Sequence, residues 1–79
     1  MGWYVYILEC KSGTYYTGVT NNLESRVKTH NSGKGAKYTA SRRPVTLVWY
    51  EIQPDKSSAM KRELEIKGWC REKKQKLIN

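Results

Sequence analysis

Hydrophobic and polar positions alternate along the first twenty residues, a pattern typical of half-buried strands. The segments Trp3 to Glu9 and Tyr15 to Thr20 are rich in β-branched and aromatic residues, and Lys11-Ser12-Gly13 between them has the composition of a turn. These segments predict a β-hairpin. A third strand is predicted from Val45 to Ile52, directly after Pro44.

A helical spacing follows the predicted hairpin. Asn21-Asn22 offers an N-cap, Leu23 and Val27 form an apolar i,i+4 pair, and Asn31-Ser32-Gly33 is suited to end the helix. The segment from Gly33 to Arg43 then contains two glycines and four basic residues without periodicity. It is predicted as a loop.

Two further helices are predicted after the third strand in the sequence. Asp55 or Ser57 can cap a helix from about Ser58 to Gly68, and Arg71 to Ile78 has the pattern of a basic terminal helix. The order β-β-α-β-α-α predicts an α+β fold, in which helices flank a small three-stranded antiparallel sheet. The whole chain, residues 1–79, is expected to form a single domain.

Positive charge dominates the composition. Fifteen Lys and Arg against seven Asp and Glu leave a formal charge of +8, and no acidic residue occurs from Ser25 to Tyr50. This excess predicts a polyanionic partner, although a well-solvated basic surface is the alternative from charge alone. Tyr38 lies within the basic stretch, as suits a phosphate backbone with bases to stack on. The basic residues there are Arg26, Lys28, Lys34, Lys37, Arg42 and Arg43.

Cysteine usage and hydropathy indicate the compartment and exclude several cofactors. Cys10 and Cys70 are too few for a disulfide-stapled scaffold and are expected to be reduced. The sequence shows neither a signal peptide nor a stretch of membrane-span length, so a cytoplasmic protein without membrane contact is expected. One His with two distant Cys does not predict a zinc site. Gly13 to Gly18 has P-loop spacing, but Val19 occupies the lysine position, and no organic cofactor is expected.

One carboxylate lies on the apolar face of the second predicted helix. At about 100° per residue, Glu63 falls near the middle of a broad apolar arc and Glu65 roughly opposite it. Because a buried unpaired charge is costly, Glu63 must meet a metal ion or a basic group such as Arg26. A buried Glu63–Arg26 salt bridge with a purely structural role is the alternative. The arc consists of Ala59, Met60, Leu64, Ile66 and Trp69.

The predicted hairpin places tyrosines close to a glycine. Tyr4 and Tyr6 share one face of the first strand, and Tyr16 opens the second, ahead of Thr17 and Gly18. A glycine within a strand marks a bulge or a close approach of another backbone, which here could be nucleic acid. Tyrosines in strands are more often core residues than reactive groups.

These tyrosines also carry a resemblance to a known family. Tyr4-Val5-Tyr6 and Tyr16-Thr17-Gly18 resemble the two halves of the GIY-YIG motif of a nuclease family. Arg26, His30 and Glu63 then fall where that family carries its helix arginine, a His or Tyr one turn later, and its metal-binding glutamate. The likeness spans nearly the whole chain and is greatest to the small stand-alone bacterial members.

Further matches and departures define this resemblance. Gly33 to Thr39 resembles the GKGAKYT-type loop of the small members, and the pattern from Arg62 to Lys67 also agrees. Tyr4 replaces the first motif glycine, and Thr17 replaces the second motif isoleucine. Both changes leave the tyrosines and the later glycine in place.

The resemblance implies metal-dependent hydrolysis of a phosphodiester bond by an endonuclease. Glu63 would hold one Mg²⁺ or Mn²⁺, and Arg26 would donate to a non-bridging oxygen of the phosphate. Tyr6 would be the general base for the attacking water, His30 would receive its proton, and Tyr16 would orient water or phosphate. His30, metal-bound water and the surrounding positive charge are expected to lower the cost of ionising Tyr6.

The implied partner is nucleic acid, with DNA favoured over RNA. A preference for structure or strand is expected rather than for a long sequence, because 79 residues offer little surface for reading bases. The protein is expected to be a monomer. A non-catalytic nucleic-acid-binding module on the same fold is the main alternative. The residues expected to bind nucleic acid are Lys34, Lys37, Tyr38, Arg42 and Arg43.

Overall fold

The computed structural model describes residues 2–78, which form a three-stranded antiparallel sheet and four helices. Strands β1 (Trp3–Cys10) and β2 (Tyr15–Thr20) make the predicted hairpin. Strand β3 (Val45–Gln53) pairs with the other side of β1, so the strand order is β2-β1-β3. The predicted α+β fold class is confirmed.

The longer helices begin where the sequence placed their caps. The Asn22 side chain accepts a hydrogen bond from the Ser25 backbone N–H at 3.1 Å, and Asp55 accepts one from the Ser58 N–H at 2.7 Å. Each cap satisfies a backbone donor that the first helical turn leaves free. The helices are α1 (Leu23–Asn31), α2 (Lys37–Ala40), α3 (Lys56–Lys67) and α4 (Arg71–Ile78).

Helix α2 is a single turn inside the segment that the sequence predicted as a loop. The backbone N–H groups of Thr39 and Ala40 both donate to the carbonyl of Ala36, at 3.2 and 3.1 Å. A four-residue helix is too short to produce an apolar periodicity, which is the signal by which helices are recognised. The turn therefore leaves no trace in the hydrophobic pattern.

The central strand supplies buried side chains to both faces of the sheet. Val5 and Ile7 pack on the face covered by α3 and α4, whereas Tyr6 and Leu8 pack on the face covered by α1. All four are at most 2% exposed. Consecutive strand residues point to opposite faces, so the alternation of β1 assigns Tyr6 to the α1 side.

The apolar stripe of α3 is narrower than the sequence predicted. Ala59 and Ile66 are buried, but Met60 and Leu64 are 45% and 69% exposed, so the prediction of a broad arc was wrong. The helix contacts a small sheet along one stripe only. Glu63 is four residues after Ala59 and three before Ile66, and its side chain is 15% exposed. Its predicted position on the packing face is confirmed.

Two further observations concern thiols and hydropathy. Cys10 is buried, Cys70 is exposed, and both are free thiols. Within residues 2–78, no helix combines the length and the apolar character that crossing a membrane requires.

Candidate active site

A pocket at the β2 edge of the sheet contains all five residues that were predicted to be catalytic. Tyr6 comes from β1, Tyr16 from β2, Arg26 and His30 from α1, and Glu63 from α3. The pocket has a volume of about 360 Å³. The fold therefore brings together, from both faces of the sheet, side chains that are far apart in the sequence.

Tyr6 reaches across the sheet at Gly18. The two residues are direct cross-strand partners, and a Cβ atom on Gly18 would lie 2.7 Å from Cζ of the Tyr6 ring. No side chain fits at this position, so the glycine leaves room for the phenol beside β2. From the sequence, nucleic acid was a candidate for the close approach at Gly18. In the structure, the ring of Tyr6 makes it.

His30 is buried at the base of the pocket and contacts two hydroxyl groups. Its Nε2 atom lies 3.0 Å from the Tyr6 hydroxyl, and its Nδ1 atom lies 2.7 Å from the Thr39 hydroxyl. Gly35 packs against the ring, where a Cβ atom would lie 2.9 Å from Cγ of His30. Burial, and then the charge of Arg26, lower the pKa of His30 below its ordinary value of 6.5. The imidazole is neutral at pH 7.

Burial also controls the ionisation of Tyr6. The side chain is 2% exposed, and loss of hydration raises its pKa above the ordinary value of 10.0. Tyr16 and Glu63 raise the pKa further, and only Arg26 opposes them. Arg26 does lower the pKa of Tyr6, as expected of nearby positive charge, but the net shift in the protein alone is upward. Desolvation of a buried phenolate outweighs the attraction of one guanidinium.

Glu63 is the acidic residue of the pocket, and its ionic partner is Lys67. The Oε2 atom of Glu63 lies 3.4 Å from Nζ of Lys67, one helical turn later. Among the ion pairs of residues 2–78, Glu63 takes part in this one and not in a pair with Arg26. The structural alternative built on a Glu63–Arg26 salt bridge is therefore wrong. The i,i+4 spacing of Glu63 and Lys67 was a signal that the sequence analysis overlooked.

A single carboxylate limits the kind of metal that the pocket could hold. In the described part of the chain, no group of three or more His, Cys, Asp or Glu side chains could enclose a metal ion. Mg²⁺ commonly binds through one or two carboxylates and substrate phosphates, and keeps several waters. Mn²⁺ accepts the same oxygen ligands. Glu63, mostly buried but open to the pocket, fits such a hydrated ion and does not fit an enclosed zinc site.

An aromatic stack leads from the pocket to the surface. The rings of Tyr16 and Tyr38 are stacked, with centroids 6.0 Å apart and planes inclined by 27°. The guanidinium carbon of Arg42 lies 4.0 Å from the centroid of Tyr38. Lys34 lines the pocket itself. Three of the residues predicted to bind nucleic acid thus lie at or beside the pocket.

The remaining two predicted binding residues lie elsewhere on the loop. Arg43 donates from Nε to the Ala40 carbonyl at 2.8 Å and from Nη1 to the Asn31 carbonyl at 3.4 Å. These carbonyls end α2 and α1, so Arg43 ties the two helices together. Its guanidinium also covers Gly33, whose positive φ of 85° favours glycine. Lys37 is exposed at the start of α2.

Thr39 and Gly35 are site residues that were not predicted from the sequence. Thr39 is 0% exposed and bonded to His30, and Gly35 provides the space for the imidazole. A segment without periodicity gives no indication of which side chains are buried. The one available signal was their place in the loop motif from Gly33 to Thr39.

Sequence comparisons identify relatives of similar length. The family model of the GIY-YIG catalytic domain matches residues 2–76. A UPF0213 protein of Staphylococcus haemolyticus is 57% identical over 75 residues, which cover 95% of this chain and 92% of that protein. A UPF0213 protein of Haloquadratum walsbyi is 54% identical over 74 residues, which cover 94% of this chain and 83% of that protein.

Solved structures show the same fold. The solution NMR structure of the UPF0213 protein from Bacillus halodurans is 51% identical, with a TM-score of 0.62, over 99% of this chain and 83% of that chain. The solution NMR structure of a protein from E. faecalis is 41% identical, with a TM-score of 0.66, over 96% of this chain and 81% of that chain. These likenesses extend through the elements that form the pocket.

Proposed function

Because the chain belongs to the GIY-YIG catalytic domain family, we propose that it is a metal-dependent endonuclease that hydrolyses phosphodiester bonds in DNA. One observation carries the proposal: a tyrosine–histidine pair, an arginine and one carboxylate line a single pocket. Metal-dependent phosphodiester hydrolysis uses a proton acceptor for the attacking water, a cation for the phosphate and a metal ligand. Tyr6 with His30, Arg26 and Glu63 match these needs in that order.

Tyr6 and His30 act together as the proton acceptor. The Tyr6 hydroxyl accepts a proton from the attacking water while its own proton moves to Nε2 of His30, 3.0 Å away. No free phenolate forms on this route, which matters because burial raises the pKa of Tyr6. The low pKa of His30 keeps its acceptor nitrogen unprotonated at neutral pH.

Arg26, Glu63 and Tyr16 act on the phosphate side of the pocket. Arg26 offers planar, paired donors to a non-bridging oxygen, a geometry that a lysine does not reproduce. Glu63 would hold one Mg²⁺ or Mn²⁺, and the ion would supply charge stabilisation at the phosphate. Tyr16, whose ring centroid is 6.5 Å from that of Tyr6, orients the water or the phosphate.

The substrate strand follows the stack of Tyr16, Tyr38 and Arg42. Aromatic faces and a guanidinium plane accept bases of any identity, so this contact favours strand or structure over sequence. Lys34 at the pocket and Lys37 on α2 add positive charge for neighbouring phosphates. Arg43 contributes by holding the loop as well as by its charge.

The proposed assembly is a monomer in the cytoplasm. One chain contributes all five proposed catalytic residues, so catalysis requires no second copy. The free thiols Cys10 and Cys70 suit a reducing compartment. The chain supplies its own proton acceptor and phosphate ligand, so the proposal requires no organic cofactor.

The direct test compares wild type with Glu63→Gln on labelled single-stranded, duplex and flap DNA and on RNA, each with Mg²⁺, Mn²⁺ or EDTA. Glu65→Gln is the matched control, because Glu65 is an exposed acid on the same helix that bonds to Arg62. Metal-dependent cleavage that Glu63→Gln loses and Glu65→Gln keeps supports an endonuclease. Binding without cleavage on every substrate would support the non-catalytic module instead.

A further inference from the structure

The Thr39 hydroxyl bonds two groups that together fix where its proton lies. Its Oγ1 atom lies 3.0 Å from the Ala36 carbonyl oxygen and 2.7 Å from Nδ1 of His30. A carbonyl oxygen can only accept, so in this bond the single hydroxyl proton of Thr39 is directed towards Ala36. The same carbonyl also accepts the backbone N–H groups of Thr39 and Ala40, at the longer distances of 3.2 and 3.1 Å. With its proton on the Ala36 side, the Thr39 oxygen offers lone pairs to His30, and Nδ1 of His30 is then the donor in the second bond.

The protonation of Nδ1 decides the role of the other ring nitrogen. A neutral imidazole carries one N–H, so Nε2 keeps a free lone pair when Nδ1 is protonated. Nε2 then accepts the hydrogen bond from the Tyr6 hydroxyl at 3.0 Å. In the opposite tautomer, Nε2 would donate to Tyr6 and could not receive its proton. All three hydrogen bonds are thus donated in the same direction. Tyr6 donates to His30, His30 donates to Thr39, and Thr39 donates to Ala36.

We propose that Thr39 is a positioning residue that holds His30 in the Nδ1-protonated tautomer, so that Nε2 is ready to receive the proton of Tyr6. The consequence for catalysis rests on the proposed nuclease function, whereas the tautomer itself does not. Thr39 is fully buried, and it lies on α2, which begins two residues after Gly35, the glycine that packs on the imidazole.

The partner of Nδ1 is a neutral hydroxyl and not a carboxylate. A carboxylate on Nδ1 would stabilise the imidazolium and raise its pKa, whereas a neutral hydroxyl orients the ring without adding charge. Other charged and titratable groups surround the imidazole. Arg26 on α1 lowers the pKa of His30. The rest are Tyr6 on β1, Tyr16 on β2, Lys34 on the loop and Glu63 on α3.

The tautomer can be measured directly because His30 is the one histidine of the chain. Long-range ¹H–¹⁵N correlation spectra of the ¹⁵N-labelled protein at neutral pH report the protonation of each ring nitrogen. Protonated Nδ1 and unprotonated Nε2 are expected in the wild type. Protonated Nε2 would overturn the proposal, whatever the protein does to nucleic acid.

Two substitutions separate the hydroxyl from the bulk of Thr39. Thr39→Val keeps the shape and removes the hydroxyl, so a mixture of both tautomers is expected, whereas Thr39→Ser should keep the wild-type tautomer. An unchanged tautomer in Thr39→Val would contradict the proposal. If Thr39→Val does not fold, the wild type and the Thr39→Ser variant still test the proposal. Loss of the Nδ1-protonated tautomer in a folded Thr39→Ser variant would also contradict the proposal.

Cleavage kinetics provide the second measurement. Thr39→Val should lower kcat by about 10-fold to 100-fold, the usual effect of removing a group that orients a reactive side chain, with KM little changed. Thr39→Ser should recover most of the rate. A rate in Thr39→Val equal to that of the wild type would overturn the catalytic consequence. An inactive wild type with the expected tautomer would instead reject the proposed nuclease function alone.

Discussion

The hydroxyl of Tyr6 lies 3.0 Å from Nε2 of His30, and both side chains are at most 2% exposed. This contact couples two groups whose acid–base properties burial has shifted in opposite directions. The pKa of the phenol is raised and the pKa of the imidazole is lowered, so at neutral pH both are uncharged. A proton can pass between them within one hydrogen bond.

Removal of the Tyr6 hydroxyl should abolish the proton relay and keep the fold. We expect Tyr6→Phe to lower the rate of cleavage by about 10²-fold to 10⁴-fold, the usual contribution of a general base. The loss of one buried hydrogen bond should lower the free energy of unfolding by about 1 kcal/mol. Single-turnover cleavage and urea unfolding measure the two effects.

Tyr50→Phe is the matched control for this substitution. Tyr50 pairs with Tyr6 across the sheet on β3, but its side chain is 52% exposed and does not line the pocket. We expect its loss of a hydroxyl to leave cleavage unchanged. Equal rates for Tyr6→Phe and wild type would remove Tyr6 from the reaction.

Stability should fall as His30 becomes protonated. The pKa of His30 is lowered in the folded protein, whereas the unfolded chain keeps an ordinary value near 6.5. As the pH falls through 6.5, the unfolded state therefore binds a proton first, and the free energy of unfolding decreases. Urea unfolding between pH 7.5 and 5.5 measures this slope.

His30→Gln supplies the comparison for the pH measurement, because glutamine does not titrate. The free energy of unfolding of this variant should depend less on pH over the same range. Asp and Glu side chains ordinarily titrate near pH 4, so they contribute little to the difference there. Identical slopes in the two proteins would show that His30 is not the group responsible.

Lys67 should compete with a divalent cation for Glu63. Its ammonium lies 3.4 Å from the carboxylate, and two positive charges at one carboxylate repel each other. We expect Lys67→Gln to lower the Kd for Mn²⁺ by about twofold to fivefold, as suits a partly exposed ion pair. Electron paramagnetic resonance of free Mn²⁺ measures this affinity without any cleavage.

Lys61→Gln controls for the general loss of positive charge. Lys61 is an exposed residue of the same helix that does not line the pocket. A similar change in the Kd for Mn²⁺ in both variants would show a non-specific charge effect, and the prediction for Lys67 would then fail.

Thr17 should be replaceable by valine with a gain in stability. Its side chain is 3% exposed, and within the described part of the chain its hydroxyl has no hydrogen-bond partner. A buried hydroxyl without a partner costs about 1 to 3 kcal/mol, so Thr17→Val should raise the free energy of unfolding by about 1 kcal/mol. Thr46→Val, at an exposed position of β3, should change it little. A destabilised Thr17→Val variant would indicate that the hydroxyl is satisfied in solution.

Local patterns were sufficient for the strands and for three of the four helices. The hairpin follows from alternation and a turn between two strands, and Asn22 and Asp55 cap their helices as their sequence positions predicted. The same kind of pattern placed Glu63 on the packing face of α3, because a helical period carries a residue to a defined side. It failed for Met60 and Leu64, since the width of the sheet under a helix is not encoded in the helix.

Contacts between distant segments decided the chemistry of the pocket. The amino-acid sequence was enough to establish the hairpin, the capped helices and the α+β class, because each depends on neighbours a few residues away. It could not show that Tyr6 crosses Gly18 or that Thr39 bonds His30, since these contacts join separate elements. Burial produced by that packing raised the pKa of Tyr6, although the positive charge of Arg26 lowers it. Charge can be counted along a chain, but desolvation exists only after the chain has folded.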